Sequence, residues 1–189
     1  MSTAGTEMLR AEGITKSYDG RVIIRNVSLH LDQGELVCLL GVSGAGKTTL
    51  FHALSGLEQP EAGRVLLSGE DITGRPGKIS YMLQKDLLLP HKKVADNVAL
   101  PLVLKAAREK ALGYFAQFGL EGTGDKYPAQ LSGGMRQRAA LLRTFLGSQG
   151  VVLLDEPFSA LDALTKREIH RWYMGMMDQL KLTTLFITH

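Results

Sequence analysis

Apolar and polar residues alternate over 22–31, Val22-Ile23-Ile24-Arg25-Asn26-Val27-Ser28-Leu29-His30-Leu31, with the odd-numbered apolar positions from Ile23 tending inward. Such alternation predicts a strand with one covered face. Residues 9–18 read as a second strand, and Asp19-Gly20 supplies the turn between the two. After the turn Asp32-Gln33-Gly34 the pattern becomes a continuous apolar run, Leu36-Val37-Cys38-Leu39-Leu40, which predicts a buried strand. Leu50-Phe51-His52-Ala53-Leu54 reads as the first turns of a helix, stopped by Gly56 and Pro60. Further strands are expected at 64–67 and 79–83.

From 85 to 146 strand signals vanish and three helical stretches are expected, over 94–106, 108–118 and 134–146, the first kinked or broken by Pro101. Strand character returns with Val151-Val152-Leu153-Leu154, then a helix over 163–180 and a strand over 184–187. The runs beside that helix are continuously apolar, as parallel strands covered on both faces would be. The fold expected is α/β, with a mainly parallel sheet, an N-terminal antiparallel β-subdomain and an inserted helical subdomain. Residues 1–84 and 147–189 form the core on this reading, and 85–146 the insertion.

Composition narrows the class only a little. With 189 residues, 44% hydrophobic and 22% charged, the chain can bury roughly 70% of its unfolded surface as one domain. A single cysteine, Cys38, excludes a disulfide framework and reads as a small buried hydrophobe. The net charge of +3 is too small to argue for nucleic acid. Residues 1–10 lack an apolar leader core, and no apolar run approaches the ~18–20 residues of a membrane span, so a chain soluble by itself is expected. His30, His52, His91 and His170 are too scattered for a metal site. Trp172, Met174, Met176 and Met177 read as core and interface filling.

Chemistry concentrates in three places. Gly41-Val42-Ser43-Gly44-Ala45-Gly46-Lys47-Thr48-Thr49 joins a strand to a helix with the spacing G-x-x-x-x-G-K-T. The glycines let successive N–H groups converge on an anion, and the helix N-terminus adds partial positive charge. Lys47 supplies a full charge for the β- and γ-phosphates, and Thr48 a hydroxyl for Mg²⁺, so the pattern implies a nucleoside triphosphate. Asp155 and Glu156 stand at the carboxyl end of a buried strand, where ligands bind in open α/β sheets. Asp155 is expected to hold Mg²⁺, and Glu156 to orient or deprotonate an attacking water. Leu131-Ser132-Gly133-Gly134-Met135-Arg136-Gln137 is a second anion-binding construction, with Ser132 as N-cap and two glycines exposing N–H groups.

These motifs, with Asp155-Glu156-Pro157, Ser159-Ala160-Leu161-Asp162 and the terminal Thr188-His189, resemble in order the ATP-binding subunits of ABC transporters. The resemblance covers nearly the whole chain. It implies an ATPase with a P-loop NTPase core, using ATP and Mg²⁺, paired head to tail with a second ATP-binding subunit. Ser132, Gly133, Gly134 and Gln137 would then close over the partner's nucleotide. Tyr18 matches the aromatic residue that stacks on adenine. Gln84 matches the glutamine that senses Mg²⁺ and the attacking water, Asp162 an inter-subunit loop, and His189 the switch histidine at the γ-phosphate.

The implied work is powering transport of a small solute, with import favoured, at the cytoplasmic face of the membrane. Permease subunits and a solute-binding protein would be the partners, and nucleic acid would not. The wording is most similar to the nitrate, sulfonate and taurine import group. A soluble ATPase of this class acting on nucleic acid or ribosomes is the alternative, and a regulatory module without catalysis is disfavoured by Lys47, Asp155 and Glu156. Leu87, Leu88 and Leu89 are either core of the helical subdomain or an exposed apolar dock; the resemblance favours the dock, because this region receives a helix of the membrane-spanning subunit. Family members continue beyond the histidine matched by His189, so a fragment or an uncovered sheet edge is expected.

Overall fold

The computed structural model describes residues 6–102, 106–157, 163–180 and 182–188, with the backbone alone at 163–165, 168–170 and 177–179. The side chains of His170 and Met177 lie outside the described residues.

Strands β1 (Glu7–Tyr18) and β2 (Arg21–Asp32) pair antiparallel, with Tyr18 opposite Arg21. Asp19 and Gly20 are left as a two-residue turn with φ of 49° and 75°. Two positive φ values match the right-handed twist of a hairpin, and Asp-Gly is a sequence that tolerates them. The alternation expected along β2 slips by one residue at Asn26, which has a φ of 51°. Ile14 faces Val27 but Lys16 faces Ile24, so β2 carries one extra residue there. Ile24 is therefore buried while Ile23 is only partly so, reversing the expected parity at the strand's start. The Thr15 hydroxyl accepts the freed Asn26 N–H at 3.0 Å. Strand β4 (Ala62–Leu67) covers the other edge of β1, and the two-residue β5 (Glu70–Asp71), which the pattern did not reveal, closes the order β2-β1-β4-β5.

The second sheet has the order β3-β8-β7-β6, from Leu36–Leu40, Thr183–Thr188, Val151–Asp155 and Ser80–Met82 respectively. Strand β8 runs parallel to both β3 and β7. Between the sheets, helix α1 (Lys47–Leu54) inserts Leu50, Phe51, Ala53 and Leu54 into one cluster with Leu9, Ile14, Leu31 and Val65 on one side and Leu153, Leu185 and Ile187 on the other. All five residues of β7 are buried, as its continuous apolar run predicts. Strand β3 departs from that expectation. Val37 and Leu39 pack on the cluster, but Leu36, Cys38 and Leu40 are exposed, Leu40 by 68%. As the terminal strand of the sheet, β3 has one face open among the described residues, and Cys38 lies on it rather than in the core.

Contacts divide the chain into two compact units. One comprises the residues up to Tyr81, Gln149–Glu156 and those from Met176 on; the other comprises Met82–Ser148 and Pro157–Gly175. The second is helical: α2 (Val94–Ala99), α3 (Ala107–Leu112), α4 (Gly133–Leu146) and most of α5 (Ala163–Leu180). Helix α2 ends ahead of Pro101, as the missing N–H and ring clash of proline require. Segment 157–175 groups with these helices and not with the α/β core expected for it. Trp172 on α5 accounts for part of this: its ring meets Phe118 edge to face at 5.4 Å, stacks under Arg138 at 5.0 Å and donates its Nε1–H to the Gln117 carbonyl at 3.3 Å. Met176 is buried, whereas Met174 is 42% exposed.

The leucine loop is part of this unit's core. Leu88 is buried, against the expected dock, and only Leu87 stands out, 52% exposed. Buried Asn97 of α2 fixes the loop: its Oδ1 accepts the Leu89 N–H at 2.6 Å, and its Nδ2 donates to the carbonyls of Leu89 and Lys92, both at 3.0 Å, and of Lys93 at 3.2 Å. Arg143 donates to the carbonyls of Leu87 and Asp86. Asn97→Ala should destabilise this unit by about 1–3 kcal/mol, because several part-buried backbone groups lose their partner at once. A shift of the urea unfolding midpoint checks this, and an unchanged midpoint would mean that the loop finds other partners.

Candidate nucleotide site

Parallel pairing sets the site. Through β8, Leu40 at the end of β3 lies opposite Thr188, and Asp155 at the end of β7 lies opposite Ile187. The loop leaving β3 and the acids ending β7 therefore emerge at the same edge, two strand spacings or about 10 Å apart.

The loop curls back tightly. Gly44 and Gly46 have φ of 80° and 86°, and Gly46 is the N-cap of α1 with no side-chain cap. The first N–H groups of α1 are thus left for a ligand. A Cβ on Gly46 would stand 2.7 Å from Cγ2 of Ile24, the residue that the Asn26 bulge turns inward, and 3.1 Å from the Ile23 carbonyl. Lys47 reaches back over the loop and donates to the carbonyls of Gly41 at 2.6 Å and Val42 at 2.9 Å. A cavity of about 200 Å³ opens here, lined by Ile23, the loop from Ser43 to Thr49, and Glu156.

At the floor, two hydroxyls converge on one carboxylate oxygen. Thr48 Oγ1 donates to Asp155 Oδ2 at 3.1 Å, and the Tyr81 hydroxyl donates to the same oxygen at 3.0 Å. Burial first, and then the Asp155 charge, push the Tyr81 phenol far above its ordinary range, so it remains a donor throughout the physiological range. Next in sequence, Glu156 takes a left-handed φ of 44°, and its N–H donates to the Ile187 carbonyl at 3.2 Å. A non-glycine residue held there stores about 1–3 kcal/mol of strain, a feature that clusters at functional sites. The acid-plus-hydroxyl donor set, oxygen throughout, suits a hard divalent cation such as Mg²⁺.

Tyr18, at the end of β1, is 40% exposed, with Lys16 Nζ 5.5 Å from its ring centre. Its hydroxyl donates to Glu58, and this bond first, then burial, raises its pKa. The same bond is the main reason that the Glu58 carboxyl titrates below its ordinary value, with His52 Nδ1 at 3.1 Å on the other oxygen adding to the effect. Sequence reasoning missed Glu58 and Tyr81. Neither belongs to a motif, and only the folded chain brings Glu58 to Tyr18 and Tyr81 to Asp155.

In the helical unit, Ser132 caps α4, its Oγ accepting the Met135 N–H at 3.2 Å, as its residue type predicts. Gly133 and Gly134 open the helix. Gln84 is exposed just after β6. Gln137 is buried within the unit, with its Oε1 lacking a partner among the described residues, and so does not present itself at the surface where a signature contact was expected. Asp162 and His189, like Ser159, Ala160 and Leu161, lie outside the described residues.

Gly46→Ala should weaken triphosphate binding by about tenfold or more, because both the left-handed φ and the Ile24 contact oppose a Cβ. Gly44→Ala, with a similar left-handed φ but open space around it, should lose less. Titration with a fluorescent ATP analogue compares the two. Equal losses would mean that the close approach to Ile24 is not what requires glycine.

Residues 24–159 match the family model described as ABC transporter. The chain is 42% identical to the formylaminopyrimidine import ATP-binding protein ThiZ of Halalkalibacterium halodurans, over 97% of this chain and 74% of that protein. It is 43% identical to the sulfate/thiosulfate import ATP-binding protein CysA 1 of Chromobacterium violaceum, over 96% of this chain but 54% of that one. The chain thus spans about half the length of several of its curated relatives. Neither name states nitrate, sulfonate or taurine as the substrate, so the expected subgroup is not confirmed. A nucleotide-free ATP-binding cassette from an ABC transporter superposes with a TM-score of 0.87 at 21% identity, covering 97% of this chain and 81% of its own, which fixes the fold. With its phosphate loop and strand-end acids in this arrangement, the chain belongs to the ABC transporter ATP-binding family.

Proposed function

We propose that this chain binds and hydrolyses ATP to power the import of a small solute across a membrane. The observation that carries the reading is the shared edge of the parallel sheet, where the phosphate loop, Thr48, Asp155 and Glu156 stand together in one compact unit. The import proteins among its relatives support the direction of transport.

Binding begins with the uncapped N-terminus of α1 and the glycine-loop N–H groups, which receive the phosphates. The Lys47 ammonium, held over the loop by two carbonyls, exchanges them for the more strongly accepting β- and γ-phosphate oxygens. Thr48 and Asp155 are the residues that would hold Mg²⁺, which when bound spreads the charge developing on the transferred phosphoryl group. Glu156, at the cavity wall, orients a water in line with the γ-phosphate and takes its proton. The exposed Tyr18 ring, at the end of β1, stacks on the adenine. Gln84 and His189 are assigned to the water and the γ-phosphate by family resemblance.

Ser132, Gly133 and Gly134 would meet the nucleotide of a second ATP-binding subunit, with Asp162 between the sites. Permease subunits and a solute-binding protein complete the assembly, with the chain peripheral at the cytoplasmic membrane face. Among the described residues no helix is long and apolar enough to cross a membrane, so the crossing would fall to those subunits.

Lys47→Ala should lower ATP affinity by at least about a hundredfold, since the loop loses its side-chain charge on the phosphates. Direct binding measurements decide this, and equal affinities would contradict the phosphate-loop assignment. Glu156→Gln should keep ATP binding and slow turnover by about 10²-fold or more. It should also accumulate an ATP-bound dimer in sedimentation. Unchanged turnover would remove Glu156 from the role of base.

A further inference from the structure

Tyr81 has no part in the motifs, yet it touches both halves of the site's floor. It sits on β6, beside β7 in the sheet. Its ring meets Phe51 edge to face at 5.8 Å and 75°, and His52 at 5.9 Å and 66°. Both belong to α1, the helix whose second residue is Thr48, one turn before His52. Its hydroxyl then reaches Asp155 Oδ2 at the end of β7. One side chain therefore sets α1 against the end of β7, and with it the distance between Thr48 and Asp155.

The hydrogen bonds also divide the carboxylate. Thr48 and Tyr81 both donate to Oδ2, and Oδ1 takes neither bond. Asp155 is 6% exposed, so its orientation depends on protein donors more than on water. Thr48 has a hydroxyl proton for Asp155 and lone pairs for a cation, and the second task restricts the first. Tyr81 has no such divided duty. We infer that Tyr81 is a positioning residue for the divalent cation of this site, fixing the Asp155 carboxylate so that Oδ1 faces the cation and its waters. The inference rests on the reading of Thr48 and Asp155 given above.

Hydrogen bonds from outer residues to metal-binding groups are typically worth 10–100-fold in metal affinity. The test is nucleotide binding titrated with Mg²⁺ alone, using a fluorescent ATP analogue and no turnover. Tyr81→Phe keeps the ring against Phe51 and His52 and removes one oxygen. The Mg²⁺ concentration for half-maximal enhancement of binding should rise at least about tenfold, while binding in EDTA stays as in the parent. An unchanged Mg²⁺ midpoint would overturn the inference, and so would an equal loss with and without Mg²⁺, the mark of a purely structural role. A second comparison uses Asp155→Asn. If Tyr81 acts through Asp155, adding Tyr81→Phe to that background should change the Mg²⁺ response little, whereas additive losses would again overturn the inference. A parent chain that binds the analogue with no Mg²⁺ effect would overturn the underlying cation reading, and Tyr81's role with it.

Discussion

Strand β8 pairs parallel with β3 on one side and β7 on the other, and its register determines where two distant parts of the chain meet. Asp155 is more than a hundred positions from Thr48, yet a 3.1 Å hydrogen bond joins them. A one-residue slip along β8 would move the acid by about 3.3 Å and turn its side chain to the opposite face. The anchoring of this register is apolar: Leu185 and Ile187 of β8 are buried in the cluster that holds Phe51 and Leu54 of α1. Burial of that cluster therefore stabilises the fold and the spacing of the site together.

The parts legible in the sequence are those whose chemistry is local. The phosphate loop needs left-handed glycines and a following helix, both written within nine residues, and the structure has φ of 80° and 86° at Gly44 and Gly46. Ser132 is equally local, since an N-cap acts three residues ahead of itself. What escaped is non-local. Asn97 reads as an ordinary helical polar residue until the fold brings Leu89, Lys92 and Lys93 around it. Hydropathy alone could not distinguish Leu87 from Leu88, which differ because a left-handed φ of 46° at Leu87 turns the chain between them.

Two errors of pattern share one cause. A continuous apolar run predicts a buried strand, which holds for β7 but not for β3 at the end of the sheet order. Strict alternation was read along β2, but the bulge at Asn26 shifts its phase and brings Ile24 inside. Periodicity reports residue types; the sheet's edge and its bulges decide which face each type meets. The bulge has a further consequence, because the Ile24 it turns inward is the atom wall that leaves Gly46 no room for a side chain.

The floor of the site shows how a buried acid can be held without being neutralised. An arginine or lysine beside Asp155 would fix the carboxylate firmly, but its charge would offset the attraction for a divalent cation and occupy the cation's place. Two hydroxyls avoid this. They orient Oδ2 with neutral dipoles and leave the carboxylate charge to be balanced by whatever binds at the loop. The nearby ammonium of Lys47 is engaged by the carbonyls of Gly41 and Val42, held to the phosphate side of the site. On the proposed reading, positive charge from the protein would face the phosphates, and negative charge would remain at Asp155. On the same reading, that separation would let one site take both a polyanion and a divalent cation without the two protein charges cancelling each other.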